Sequence, residues 1–204
     1  NEFTPFCPDR PYAISKLFSY WTVVNYRKAY KIFAVNGILF NHEGERRGAT
    51  FVTRKITRAV AKIYNGEKEI LYLGNLNAKR DWGSADDYVK TMWMMMQKKI
   101  PSDYVIATGI SKSVRDFVVE SFKCIGINII WQGKGTNEIG INKKTKEVLV
   151  KIDKYYFRPT EVHELRGDSR QARKQLGWKP KITFKELVKS MVEKDILKIQ
   201  SSNS

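Results

Sequence analysis

Pro11-Tyr12-Ala13-Ile14-Ser15-Lys16-Leu17 opens the stretch that decides the fold, and residues 12–31 continue it in helical period. Apolar or aromatic residues recur at Leu17, Trp21, Val24 and Tyr30, close to the spacing of an amphipathic helix. The apolar run Ile32-Phe33-Ala34-Val35 follows, then Gly37-Ile38-Leu39-Phe40, which suits a buried strand of a parallel sheet. Tyr12 and Lys16 stand four residues apart, on one face of the helix. An ammonium beside a phenol favours the phenolate, the form that takes up a proton, and the same lysine can hold a ribose hydroxyl of a nicotinamide cofactor. A Tyr and Lys at this spacing arise by chance in many helices. Here the pair follows a Pro-rich loop (Pro5, Pro8, Pro11) and leads a long helix into a strand.

The alternation continues downstream. Residues 41–48 are polar and read as a loop, and 51–64 return to helical period through Val52, Ile56, Val60 and Ile63, ending at Asn65-Gly66. Residues 70–73 read as a strand, Ser84 or Asp86 caps a helix to about Gln97, and 104–107 form a further buried strand. Ser113 caps a helix through Phe117, Val118 and Phe122, closed by Gly126. Strands at 127–131 and 148–152 flank a glycine-bearing loop over 134–144. Ser169 opens a short helix to Leu176, and Thr183 starts the last, Phe184 to about Ile196. Strands alternating with helices predict an α/β fold. A parallel sheet of this kind begins with a glycine-rich turn around a pyrophosphate. No GxGxxG occurs, and Gly133-Lys134-Gly135 opens no helix. The expectation is a partial Rossmann-type parallel sheet with its N-terminal strands missing, as if sequence before the Pro-rich opening were absent.

Bulk properties narrow the classes. The 204 residues are 42% hydrophobic and 12% aromatic, enough for a sizeable core rather than a disordered chain. No apolar run approaches the roughly 18 residues that cross a bilayer, and no signal peptide opens the chain, so no membrane partner is expected. Cys7 and Cys124 sit outside any metal-binding spacing and are expected as free buried thiols in a reducing cytoplasm. With His42 and His163 the only histidines, no dedicated metal site is expected. Lys and Arg number 37 against 21 Asp and Glu, a net +16. The basic residues are dispersed, densest at Lys143-Lys144-Thr145-Lys146 in a turn, with no nucleic-acid-binding motif beside them. A solvated basic surface is favoured over a nucleic-acid face, with attraction of a small diphosphate as the third use.

Longer motifs carry a specific resemblance. Residues 11–17 resemble the active-site helix of extended short-chain dehydrogenases. Residues 34–43, Arg46-Arg47-Gly48-Ala49, 51–56, Leu73-Gly74-Asn75-Leu76, 79–83 and Asp87-Tyr88-Val89 resemble GDP-mannose 4,6-dehydratases, and so do 156–162 and 176–180. The resemblance spans about Thr4 to Lys194 and is thinnest over 134–147.

The family resemblance implies an internal redox dehydration of GDP-D-mannose to GDP-4-dehydro-6-deoxy-D-mannose, with NADP as a retained cofactor. It makes Tyr12 the base for the sugar 4-hydroxyl, with Lys16, His42 and Arg47 as NADP contacts. The loop of Arg47 could also reach the cofactor of a neighbouring subunit. For the GDP-sugar it points to Asn41, Lys55, Gly74, Arg80, Arg158 and Glu161, with Arg115 a weaker diphosphate candidate. Arg80 and Arg158 suit a diphosphate, and Glu161 can accept from both ribose hydroxyls. Trp82, Trp131 and Trp178 are assigned to the core. The family's Thr and Glu lie upstream of the tyrosine and have no counterpart here; Glu2 is rejected as a substitute, so the chain alone is expected to be inactive. The resemblance also implies a homodimer or homotetramer.

The expected division is 1–50 for the C-terminal part of an NADP-binding Rossmann domain and 51–204 mainly for the smaller substrate domain, with a late Rossmann strand near 104–108. Alternatives are another nucleotide-sugar dehydratase, epimerase or reductase of the superfamily, or an inactive binding fragment.

Overall fold

The computed structural model describes residues 1–156 and 162–202. Helix α1 (Pro11–Tyr30) starts with proline at its first turn, where no N–H is needed, and ends at Lys31 in the left-handed region (φ 56°). Then come β1 (Gly37–Leu39), β2 (His42–Glu43), α2 (Val52–Tyr64), β3 (Leu71–Leu73), β4 (Lys79–Asp81) and β5 (Gly83–Ser84). Next are α3 (Ala85–Met96), β6 (Tyr104–Ile106), β7 (Ser111–Ser113), α4 (Val114–Lys123), β8 (Ile129–Gln132) and β9 (Ile139–Asn142). The chain continues through β10 (Val148–Ile152), β11 (Glu164–Leu165), α5 (Arg170–Leu176) and α6 (Phe184–Ser202).

The fold is α/β. β1 and β6 pair in parallel with Ile38 opposite Val105, which is the parallel pairing expected of both segments. A four-stranded sheet runs β3-β10-β9-β8, with β10 parallel to β3 and antiparallel to β9. A three-stranded sheet runs β11-β4-β7, and β2 pairs with β5. Two cores sit beside these sheets. One gathers Ile56 and Val60 of α2, Phe117, Val118 and Phe122 of α4, and Leu187, Val188, Met191 and Val192 of α6 against Leu71, Leu73 and Val150. The other surrounds β6 with Tyr88, Met95, Tyr104, Ile106, Ala172 and Trp178. Trp82 and Trp178 are core residues, as expected, and Trp131 packs on the first core from its edge.

Local sequence accounts for the helix ends. Ser84 accepts from the Asp86 N–H, and Ser113 with Asp116 closes a reciprocal capping box. The Thr183 N–H donates to the Glu186 carboxylate and the Glu186 N–H to the Thr183 hydroxyl, the same exchange before α6. Gly177 ends α5 in the left-handed region.

Several expectations are corrected. α1 is a helix, but its apolar face is not buried: Val24 is its single buried residue, and Trp21 and Tyr30 are exposed. Ile38, Leu39 and Phe40 are half-buried rather than buried, because β1 has one sheet neighbour, β6. The loop over 41–48 contains β2, and that over 134–144 contains β9. Gly140 in β9 lies so close to Trp131 and Val150 (3.0 Å from a Cβ to each) that a larger residue would have to push both aside. Arg80 lies inside β4. Cys7 and Cys124 are free as expected but exposed, because Cys7 lies in the opening loop and Cys124 at the solvent-facing end of α4.

Candidate active site

A cavity of about 600 Å³ lies where β3, β4 and the loops after β2 and β3 meet the start of α2. Asn41, Arg47, Lys55, Gly74 and Arg80 all line it, with Glu43, Phe51, Tyr72 and Tyr156. Helix and strand periods explain the convergence. Lys55 is one turn into α2, on the side away from buried Ile56 and Val60. In β4, alternation sends Arg80 to the cavity and Asp81 the other way. Asp81 is fully buried and accepts from the Thr108 N–H and hydroxyl, the Gly109 N–H and the Gly167 N–H. It thereby fixes the strand that carries Arg80.

Each cation is held differently. Arg80 donates to the Lys79 and Val162 carbonyls at 2.8 and 2.7 Å. The Lys55 ammonium sits 3.4 Å above the Tyr156 ring centroid. The Arg47 guanidinium lies 3.6 Å over the Phe51 ring, and its Nε is 3.1 Å from Glu43 Oε2. That is an ion-pair distance, but the Nε–H is not aimed at the oxygen and makes no hydrogen bond. Glu43, only 2% exposed, accepts instead from the Thr53 hydroxyl at 2.7 Å. Burial pushes the Glu43 carboxyl up, against the Thr53 bond and the Arg47 and His42 charges that pull it down. Gly74 is where the Tyr156 carbonyl passes; a Cβ there would collide with it.

Tyr12 and Lys16 do not line this cavity. They lie one turn apart on α1, the Lys16 ammonium 5.5 Å from the Tyr12 ring centroid and without a carboxylate partner among the described residues. His42 stands next to the cavity, its ring 5.2 Å from that of Tyr88. Its Nδ1 is 3.0 Å from the Phe40 carbonyl. A carbonyl only accepts, so Nδ1 carries a proton and donates it to Phe40. The Nδ1–H of His42 is thus spent on the backbone. Tyr88 is fully buried with its hydroxyl unpartnered; burial, then Asp81 and Asp87, push that phenol up.

Arg115 is not a free cation. It pairs with Glu138 at 2.7 and 3.0 Å, reaches Asn77 and covers the Trp131 ring. Glu2 is also engaged, accepting from the Val105 N–H. Arg158 and Glu161 lie outside the described residues. Sequence reasoning missed Glu43 and Arg54, although Arg54 had a signal: a charge at position 54 falls on the helix face of Thr53, Thr57, Val60 and Ala61, all buried.

Comparison with solved structures defines the class first. The fold is similar to that of RMD from Pseudomonas aeruginosa complexed with NADPH (TM-score 0.80, 18% identity, covering 97% of this chain and 59% of that one). It is also similar to the UDP-glucose 4-epimerase of Thermotoga maritima (TM-score 0.72, 22% identity, covering 97% and 56%). The molecule has the α/β fold of extended short-chain dehydrogenase/reductases. Residues 1–191 match the GDP-mannose 4,6 dehydratase family, and the chain belongs to that family. It is 58% identical to the GDP-mannose 4,6 dehydratase of Homo sapiens over 196 residues, covering 96% of this chain and 53% of the relative. The corresponding figures for Dictyostelium discoideum are 58% over 203 residues, covering 100% and 57%. The chain spans about half the length of the curated relatives it matches.

Proposed function

We propose that this chain serves the 4,6-dehydration of GDP-D-mannose. The observation that carries the reading is the cavity itself: in a member of this family, Arg47, Lys55 and Arg80 converge with Asn41 and Gly74 on a space of about 600 Å³. Three cations in one concave site suit a diphosphate, because each phosphoryl oxygen gains a charge-assisted hydrogen bond. Arg158 and Glu161 join the set by family resemblance. The family and relatives at 55–58% identity favour this activity over the epimerase or reductase alternatives; the Thermotoga maritima UDP-glucose 4-epimerase stands at 22%.

Tyr12, Lys16 and His42 fit a nicotinamide dinucleotide by their chemistry: an ammonium beside a phenol, without a carboxylate partner among the described residues, and a ring whose Nδ1–H is held by the backbone. Arg47 lines the cavity with the substrate set, so its contact to the cofactor is proposed only as a contact from that shared wall. NADP held by these residues would accept the hydride from C4 and return it to C6 after water has left, so that the cofactor ends each turnover unchanged. Tyr12 takes the proton of the sugar 4-hydroxyl, and Lys16 stabilises its phenolate. The resulting ketone acidifies C5–H, and water leaves across C5–C6. The Thr and Glu that handle this second step in the family are not in the chain, so we propose that the chain alone does not turn over. Residues 1–50 and the strand near 104–108 are assigned to the cofactor side and 51–204 mainly to the sugar-nucleotide side. We further propose a homo-oligomeric, cytoplasmic enzyme without nucleic-acid or membrane partners, in keeping with its two free thiols.

Isothermal titration of GDP tests the site. Arg80→Ala should weaken binding by about 1.5–3 kcal/mol, the range for hydrogen bonds to charged groups. Equal affinity in the variant would remove Arg80 and the diphosphate from this cavity.

A further inference from the structure

Arg54 is buried, yet none of its nitrogens serves the cavity. Its Nε lies 2.9 and 2.8 Å from the two carboxylate oxygens of Asp195, and Nη2 lies 2.6 Å from Oδ1. Thr57, one turn along α2, donates a further bond of 2.7 Å to the same carboxylate. The remaining terminal nitrogen, Nη1, donates to the Glu45 carbonyl at 2.6 Å and to the Arg47 carbonyl at 2.9 Å. Asp195 is 3% exposed and stands on α6, 141 residues away in sequence. It also lies beyond the span that matches the family, which ends at residue 191.

We propose that Arg54, clamped by Asp195, is a positioning residue for the sugar-nucleotide cavity, and that α6 thereby sets where Arg47 stands. This rests on reading the cavity as the GDP-sugar site. The turn that needs holding has little else to hold it. Glu45 and Arg46 are exposed, and the backbone bonds that shape the segment are Arg47 N–H to Gly44 and Phe51 N–H to Gly48. Apolar burial cannot fix such a turn, but a guanidinium whose orientation is set by a bidentate carboxylate can. Once the Glu45 and Arg47 carbonyls are pinned, the Arg47 side chain starts from a fixed point and reaches Phe51 and Glu43 at the cavity wall. α6 reinforces the clamp from outside: Lys194 pairs with the Glu45 carboxylate at 3.4 Å, and Lys198 donates to the Glu45 carbonyl at 3.3 Å. α6 is itself fixed by Leu187, Val188, Met191 and Val192 in the first core. Arg54 is charge-neutralised by Asp195, so its effect on a ligand passes through Arg47 rather than through its own charge.

The test compares hydrogen exchange and GDP binding in the 204-residue chain, with and without Asp195→Asn. Exchange in segment 44–50 of the unliganded protein should rise about tenfold, the scale of one lost charged hydrogen bond, while α4 stays protected. GDP affinity should fall by about the same factor, and Asp195→Asn added to Arg47→Ala should weaken binding no further than Arg47→Ala alone. Unchanged exchange at 44–50, or losses that add in the double variant, would overturn the proposal. If Asp195→Asn does not fold, Lys194→Ala/Lys198→Ala, a surface change, decides: faster exchange at 44–50 supports the clamp from α6 and unchanged exchange sinks it. Absence of GDP binding in the unmodified chain would instead sink the sugar-nucleotide reading, and the exchange result would still decide whether α6 holds the turn.

Discussion

The lobe built on α2, α4 and α6 and the helix α1 are held by different forces. In the lobe, apolar side chains from three helices close on β3 and β10, and Phe117, Phe122, Ile56 and Val188 are fully buried. α1 is longer than α2 or α4, yet it buries only Val24, and Phe18 is 74% exposed. What ties α1 down is polar. Arg27 forms a two-bond pair with Asp103 at 2.7 and 2.9 Å and donates to the Ala34 carbonyl, while the Asn36 N–H reaches the same carboxylate. Lys55 therefore stands on a helix fixed by burial, whereas Tyr12 and Lys16 stand on a helix tied down by polar contacts.

The largest expected effect separates chemistry from packing on α1. In a full-length dehydratase whose corresponding half is this chain, Tyr12→Phe should lower turnover by about 10²–10⁴, the contribution of a positioned acid/base. Its thermal midpoint should move little, because the change removes one hydroxyl and keeps the ring. Turnover within a few fold of the parent would take Tyr12 out of the mechanism.

A pair of phenylalanines measures the contrast directly. Phe117→Ala should cost about 3–5 kcal/mol in urea unfolding of the chain, the transfer of a buried ring plus its cavity. Phe18→Ala on α1 should change stability by no more than about 0.5 kcal/mol, as exposed positions do. A large loss at Phe18 would show that the exposed face of α1 is covered by something in solution.

Legibility in the sequence follows the same division of forces. α4 was readable because Ser113 caps it and Phe117, Val118 and Phe122 carry its period, and every one of those signals is local. β4 and β7 were not, since Lys79-Arg80-Asp81 and Ser111-Lys112-Ser113 show no apolar alternation. Arg80 faces a cavity, and Asp81 is buried as a hydrogen-bonded carboxylate. β9 was hidden by Gly140, which is there for a close approach that only the folded sheet creates. At the site, resemblance named Asn41, Arg47, Lys55, Gly74 and Arg80, which share one cavity. Residue types alone could not have linked Arg54 to Asp195, because that contact exists only once α6 packs on α2. α1 shows the converse: helical period reports an apolar face, not whether anything covers it.

The smallest effect tests the ion pair that anchors α1. Burial pushes the Asp103 carboxyl up, but the bonds from Arg27 and the Asn36 N–H outweigh it and hold the group below the usual carboxylate range. A carboxyl whose folded value is depressed binds fewer protons folded than unfolded. It adds stability at pH above its unfolded value, about 3.9, and that stability is lost as pH falls through the folded value. Asp103→Asn should therefore cost about 1.5–3 kcal/mol near neutral pH, the worth of charged hydrogen bonds. The gap between parent and variant should start to close below about pH 4 and narrow further as pH falls through the folded value. Urea unfolding at pH 7, 4 and 3, followed by hydrogen exchange of residues 20–30, reads both the size and the place of the loss. A gap that stays constant down to pH 3 would mean that α1 is not held by this carboxylate, and the contrast between the two regions would lose its physical basis.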